Sequence, residues 1–131
     1  MTHVFVYGTL KDGLSNHGLL KGSEFIGRGI TLRPFFMCDT GGFPVVFMET
    51  EKHNVAGEIY DVDDHTLSRL DSLEGHPSFF ERRQIIVDIE DTGIQQTCWM
   101  YFGNNDGGYW NRRTLPEAPV QDNGAYSWRR A

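Results

Sequence analysis

Glu74 is the residue whose position in the sequence is most informative about chemistry. Leu67, Leu70 and Leu73 recur at helical spacing and predict an apolar stripe on one side of a helix. At about 100° per residue, Glu74 projects roughly 40° from the centre of that stripe, whereas Asp71 projects roughly 100° from it. Glu74 therefore faces a predicted core, at the helix end where the backbone dipole is negative. We expect its pKa to be raised, which suits a general acid or base near neutral pH.

Other carboxylates and a nearby histidine offer alternatives to this interpretation. If the last helical turn unwinds, the long side chain of Glu74 reaches solvent instead. Glu58 lies in a predicted strand and is a candidate for a structural ion pair, and Glu81 is followed by two arginines and is expected to be solvated. His76 is close enough to Glu74 in sequence to act as its proton partner.

The second chemical feature is a turn that follows the first predicted strand. Residues 4–6 are apolar and run into Tyr7, Gly8, Thr9 and Leu10. A glycine there permits backbone dihedrals that are closed to other residues and lets a ligand approach the main chain, and the N–H groups of Gly8, Thr9 and Leu10 would point together at an anion. The alternative is an ordinary turn at the edge of the core.

The cysteines and histidines indicate neither a metal site nor a disulfide framework. Cys38 and Cys98 are the only two cysteines and have no CxxC spacing, and the five histidines have no metal-ligand spacing. A thiol hydrolase that uses Cys38 or Cys98 with a histidine is the weakest functional hypothesis, because no glycine-flanked nucleophile motif surrounds either cysteine. We expect no metal.

The elements that must position these residues are predicted to be short strands and one clear helix. Asp63 or Asp64 is suited to cap the start of a helix over residues 65–74, which Gly75 ends and Pro77 cannot continue. The 15 glycines predict many turns, and several of them predict bent strands. The predicted strands cover residues 4–6, 23–30, 32–39, 43–48, 55–62, 79–89 and 94–102.

Length and charge narrow the class of protein. A chain of 131 residues is predicted to form a single domain, residues 1–131. The formal charge of −6 argues against nucleic acid as a partner, and the arginine pairs at 82–83, 112–113 and 129–130 are too scattered to form a groove. The chain starts without the features of a signal peptide and has no apolar run of about 20 residues, so we expect a soluble cytoplasmic protein without a membrane partner.

Three motifs in order carry a resemblance to a known family. YGTL occupies residues 7–10, GEIY occupies residues 57–60, and LDSLEGHP occupies residues 70–77 ahead of an aromatic residue and Arg82. In this order and spacing, the chain resembles the gamma-glutamyl cyclotransferase-like family. The resemblance extends to the strand that contains Trp99, and residues 127–129 are similar to the tail of bacterial members.

The resemblance implies an α+β fold in which a small, mixed, strongly curved β-barrel is flanked by a few short helices. It also implies an enzyme of acyltransferase or lyase type that converts a γ-glutamyl amine or peptide to 5-oxoproline and a free amine. In this scheme Tyr7, Gly8, Thr9 and Leu10 bind the glutamyl part of the small-molecule substrate, Glu74 is the base, and no cofactor is needed. The protein is expected to be a monomer or a weak homodimer.

One departure from the family pattern concerns the residues after Pro77. The family often has a tyrosine where this chain has Phe79 and Phe80, so a hydroxyl group is missing there. This leaves the substrate subclass and the leaving amine open. The alternative function is a non-catalytic module that binds a small molecule in the same pocket.

Overall fold

Within residues 2–107, 110 and 114–128, which the computed structural model describes, the chain forms seven strands, one α-helix and two 3-10 helices. None of these helices is long and apolar enough to cross a membrane. In chain order the elements are β1 (Thr2–Val6), a 3-10 helix (His17–Leu20), β2 (Glu24–Thr31), β3 (Phe36–Asp39), β4 (Pro44–Phe47), β5 (Ala56–Val62), α1 (Asp64–Glu74), β6 (Phe80–Ile89), β7 (Gln95–Gly103) and a 3-10 helix (Asn105–Gly107).

Five strands close into a barrel in the order β1-β5-β2-β6-β7. Val4 pairs with Tyr60 in the antiparallel β1–β5 ladder, and with Trp99 in the parallel contact between β1 and β7 that closes the barrel. The predicted mixed barrel is therefore confirmed. Its curvature is helped by a register shift in β2 between Phe25 and Gly27, in the segment where bending was predicted.

The helix α1 begins and ends with the predicted caps. The Asp63 carboxylate accepts a hydrogen bond of 2.7 Å from the Thr66 N–H, and Gly75 has a left-handed φ of 65° at the other end. Leu70 is fully buried, but Leu73 is 41% exposed. The predicted apolar stripe therefore loses contact with the core in the last turn of the helix.

The β3–β4 pair forms a separate two-stranded sheet. Pro44 stands at the first position of β4, where a proline is tolerated in a strand. The predicted strand over residues 32–39 was too long, because β3 begins only at Phe36. Its first half is a turn around Pro34, in which the chain leaves the direction of the barrel strand. In this turn the Thr31 hydroxyl donates a hydrogen bond of 2.8 Å to the Arg33 carbonyl.

The segment 114–128 covers the core without a named helix or strand. Tyr126 is fully buried, Trp128 is 2% exposed, and Val55 forms an isolated bridge with Tyr126. The arginine pairs at 112–113 and 129–130 lie outside the described residues.

Candidate active site

A cavity of about 310 Å³ opens where β1 ends, beside the last turn of α1. It brings together the two features predicted from separate parts of the sequence, the 7–10 loop (residues 7–10) and Glu74. Its lining residues are Phe5, Val6, Tyr7, Gly8, Thr9, Leu10, Ser15, Asn16, Gly42, Phe43, Pro44, Leu73, Glu74, Phe79, Phe80 and Tyr101.

One of the two reasons predicted for the glycine at residue 8 is contradicted by the structure. The φ of Gly8 is not positive, so the expectation of dihedrals closed to other residues was wrong. Instead, a Cβ atom on Gly8 would lie 2.9 Å from Cδ of Pro44, at the start of β4. The glycine allows the loop and the β3–β4 sheet to pack closely beside the cavity.

Hydrogen bonds within residues 8–16 fix the 7–10 loop in place. The Lys11 N–H donates to the Gly8 carbonyl at 3.0 Å, and the Asn16 N–H donates to the Thr9 carbonyl at 2.9 Å. The Asn16 side-chain amide donates to the Thr9 hydroxyl at 2.8 Å. Within the described residues, the N–H groups of Gly8, Thr9 and Leu10 donate to no acceptor of the protein. They are available to an anionic oxygen of a ligand.

Glu74 is the last residue of α1, is partly buried and lines the cavity. Burial raises its pKa from the ordinary value of 4.5 to about 7. The carboxyl group is thus divided between its protonated and ionised forms at neutral pH. Such a group can accept a proton and return it.

Two tyrosines extend the site into the barrel. The Tyr7 hydroxyl donates a hydrogen bond of 2.6 Å to the Tyr101 carbonyl, and the Tyr101 hydroxyl donates one of 2.6 Å to Asp71 Oδ1. Burial, and next the charge of Glu74, raise the pKa of Tyr7, while burial and the bond to Asp71 raise the pKa of Tyr101. Both side chains therefore stay protonated at neutral pH.

Asp71 anchors Tyr101 through an ion pair that the sequence analysis did not predict. Arg82 donates from Nε to Asp71 Oδ1 at 2.8 Å and from a terminal nitrogen to Oδ2 at 3.1 Å, and its guanidinium lies 4.4 Å from the Trp99 ring centroid. Burial alone would raise the pKa of Asp71, but the hydrogen bonds from Arg82 and Tyr101 outweigh it and lower that pKa. Helical spacing placed Asp71 off the apolar stripe, and no local pattern indicated these partners.

The other candidate acids and bases lie outside the cavity lining. Glu58 accepts hydrogen bonds from the Tyr60 hydroxyl at 3.0 Å and from the Asp12 N–H at 2.9 Å. His76 Nδ1 accepts a hydrogen bond of 3.2 Å from the Arg82 N–H. Glu81, which was expected to be solvated, is partly buried and forms an ion pair with Arg83 at 2.6 Å.

The cysteines give no support to a thiol mechanism. Cys38 and Cys98 are buried and are not joined in a disulfide, and neither lines the cavity. Burial raises the pKa of Cys98 to about 12, so its thiol is not ionised at neutral pH. In the part of the chain that the structure describes, no group of three or more histidine, cysteine or acidic side chains is arranged to hold a metal ion.

Comparison with known proteins gives consistent matches over most of the chain. The family model described as gamma-glutamyl cyclotransferase, AIG2-like, matches residues 4–128. A protein of Methanocaldococcus jannaschii that is provisionally named a gamma-glutamylcyclotransferase is 41% identical over 103 residues, which cover 78% of this chain and 84% of the relative. The gamma-glutamylaminecyclotransferase of Rattus norvegicus is 38% identical over 115 residues, which cover 77% of each chain. The crystal structure of an AIG2-like protein from Mus musculus has a TM-score of 0.79 and 29% identity, and covers 100% of this chain and 98% of that chain.

Proposed function

Because the chain belongs to the gamma-glutamyl cyclotransferase, AIG2-like family and is an enzyme of that kind, we propose that it converts a γ-glutamyl amine or peptide to 5-oxoproline and a free amine, with Glu74 as the general base. The observation that carries the proposal is the position of Glu74 in one cavity with the 7–10 loop. The loop offers N–H donors, and Glu74 offers a carboxyl group whose pKa is about 7.

The proposed reaction starts with a proton transfer from the substrate to Glu74. The ionised carboxylate takes a proton from the substrate α-ammonium group, and the free nitrogen attacks the side-chain carbonyl carbon of the same glutamyl unit. Because the reaction is intramolecular, holding the glutamyl unit in a bent conformation supplies much of the barrier reduction. N–H groups of the 7–10 loop hold anionic oxygens of the substrate.

The second half of the reaction returns the proton. The bond between the carbonyl carbon and the leaving nitrogen breaks as Glu74 gives its proton to that nitrogen. Glu74 then takes a second proton from the ring nitrogen and passes it to the departing amine. Of the three protons on the α-ammonium group, one stays on the ring nitrogen of 5-oxoproline and two leave with the amine as an ammonium ion. Glu74 is a carboxylate again at the end of the cycle, and atoms and charge balance without a cofactor.

The experiment that tests this proposal measures 5-oxoproline and free amine from a panel of γ-glutamyl amides and peptides. We expect the parent protein to release the two products in equal amounts from at least one of them. Glu74→Gln keeps the size of the side chain but cannot accept the proton, so we expect its rate to fall roughly 10²- to 10⁴-fold. Glu24→Gln, an exposed glutamate on β2, is the matched control and should retain the parent rate. Equal rates in Glu74→Gln and the parent would remove Glu74 from the mechanism.

A further inference from the structure

One part of the cavity surface is aromatic and has no role in the proton transfers. Phe43 and Pro44 lie where β4 begins, and Phe79 and Phe80 lie where β6 begins. The ring centroids of Phe43 lie 6.5 Å from Phe79 and 6.3 Å from Phe80, and those of Phe79 and Phe80 lie 5.4 Å apart. Together with Leu73, these residues form a continuous surface that we call the apolar wall.

Contacts behind the apolar wall hold its rings in place. Trp110 lies 4.5 Å from the Phe79 ring, and its indole N–H donates a hydrogen bond of 2.9 Å to the Phe79 carbonyl. The Phe43 backbone is fixed by Thr40, whose hydroxyl donates to the Phe43 carbonyl at 2.7 Å. A surface fixed in this way loses little side-chain freedom when a ligand covers it.

The distribution of charged groups in the cavity indicates where each end of the substrate binds. Among the described lining residues, Glu74 is the only one with a carboxyl or a basic side chain. The charged groups of the glutamyl unit are taken by Glu74 and the 7–10 loop. Among the described lining residues, a second charge on the leaving amine finds no charged partner other than Glu74 to replace the hydration that it loses beside the apolar wall.

From these contacts we infer that the enzyme is specific for γ-glutamyl amides whose leaving amine is small and apolar and carries no further charged group, and that the apolar wall is the surface that binds it. This inference rests on the proposed function, because it assigns the amine end of the same substrate. The cavity volume of about 310 Å³ is at the lower end for ligand sites and favours a small amine over a polypeptide. Phe79 and Phe80 carry no hydroxyl group and are suited to this role.

A matched series of substrates tests the inference. We would measure kcat/KM for the γ-glutamyl amides of methylamine, n-butylamine and phenethylamine, and for lysine linked through its ε-amino group as the charged comparison. Each methylene group that the apolar wall buries should raise kcat/KM about fourfold, so the n-butylamide should exceed the methylamide at least tenfold. The inference is overturned if the methyl and n-butyl amides react equally well, or if the lysine compound is preferred.

Variants then locate the effect. Phe43→Ala should reduce the ratio between the n-butylamide and the methylamide to less than half, and Phe43→Leu should largely restore it. Phe25→Ala is the control, since Phe25 is 52% exposed on β2 and does not line the cavity. A ratio that is unchanged in both Phe43→Ala and Phe79→Ala would exclude the apolar wall as the amine site.

Binding measurements separate this inference from the proposed function. Calorimetry on Glu74→Gln gives the dissociation constants of the same amides without turnover, and we expect the n-butylamide to bind at least tenfold more tightly than the methylamide. If 5-oxoproline forms from all the amides but neither rate nor affinity depends on the amine, the inference fails and the proposed function stands. If no amide is turned over by the parent but the affinity ratio is found, the proposed function fails and the apolar site stands.

Discussion

Asp71 and Glu74 lie one helical turn apart in α1, and their carboxyl groups have opposite environments. Hydrogen bonds from Arg82 and Tyr101 stabilise the charge of Asp71 and lower its pKa. Burial in the cavity raises the pKa of Glu74 to about 7. Two carboxylates whose pKa values are pushed apart are suited to separate tasks, and we propose a structural task for Asp71 and proton exchange for Glu74.

The raised pKa of Glu74 predicts how stability depends on pH. The folded state holds this proton more tightly than the unfolded state, so the stabilisation is complete below pH 4.5 and is lost as the pH rises through about 7. Between these limits the contribution is about 3 kcal/mol. Glu74→Gln removes it, so urea unfolding should show the variant becoming more stable relative to the parent between pH 5 and pH 8. The same pH dependence in both proteins would contradict the raised pKa, and Glu24→Gln is the control.

At the residue scale, sequence periodicity predicted the direction in which Glu74 projects but not the partners of Asp71. The direction of Glu74 follows from the spacing of Leu67, Leu70 and Leu73, which precede it by seven, four and one residues. Asp71 depends on Arg82 and Tyr101, which are 11 and 30 residues away in sequence and meet it only in the folded barrel. Helical spacing alone made Asp71 look like a surface residue.

The 7–10 loop follows the barrel strand β1 and lines the cavity, and a substitution at Gly8 tests whether the position of the loop matters. In Gly8→Ala the added Cβ would lie 2.9 Å from Pro44 Cδ, so the loop must move away from the β3–β4 sheet. A displacement of about 1 Å should lower kcat/KM for 5-oxoproline release by roughly 10²-fold while the barrel still folds. Gly18→Ala is the control, because no atom lies within 4 Å of its added Cβ. Unchanged kcat/KM in Gly8→Ala would show that the loop does not position the substrate.

The ion pair between α1 and β6 should contribute to stability at the element scale. Asp71→Asn leaves the Arg82 guanidinium without its carboxylate and weakens the acceptor of the Tyr101 hydroxyl. We expect the free energy of unfolding to fall by about 1–3 kcal/mol, measured by urea denaturation at pH 7. Asp91→Asn, in the exposed turn between β6 and β7, should have little effect. An unchanged midpoint in Asp71→Asn would mean that the pair contributes nothing to the fold.

Elements whose ends carry strong local sequence signals were predicted correctly, whereas one strand without such a signal was not. The caps Asp63 and Gly75 gave the ends of α1 to within a residue, and the turn at Gly93 separates the two strands of the predicted hairpin. The strand predicted over residues 32–39 was half wrong, because the bonds of the Thr31 side chain turn the chain before β3. Such side-chain bonds depend on Val55, 24 residues away.

At the scale of the whole molecule, residues 114–128 complete the core although their sequence is irregular. Tyr126 and Trp128 are buried, and the Lys11 ammonium donates a hydrogen bond to the Trp128 carbonyl next to the 7–10 loop. Periodicity gives no signal for a segment that packs without regular structure, so its role in the core was not predicted. The barrel itself was predicted from the family resemblance rather than from strand patterns.

Removing the Trp128 side chain tests how far this segment supports the fold. Trp128→Ala should lower the free energy of unfolding by about 3–5 kcal/mol, because it leaves a large cavity under the segment. Val120→Ala, at a position that is 42% exposed in the same segment, should change it by less than about 0.5 kcal/mol. Urea denaturation of both variants measures the difference, and equal losses would mean that the segment does not form part of the core.

The pH dependence of kcat/KM for 5-oxoproline release tests most directly whether Glu74 is the general base. This parameter reports the ionisation of the free enzyme and the free substrate. We predict that kcat/KM of the parent rises with pH through an apparent pKa of about 7, the value that burial gives Glu74. The residual kcat/KM of Glu74→Gln should lack this rise. A rise of kcat/KM with an apparent pKa near 4.5 would contradict the assignment of Glu74 as the base. A rise with an apparent pKa near 7 that persists in Glu74→Gln would also contradict it.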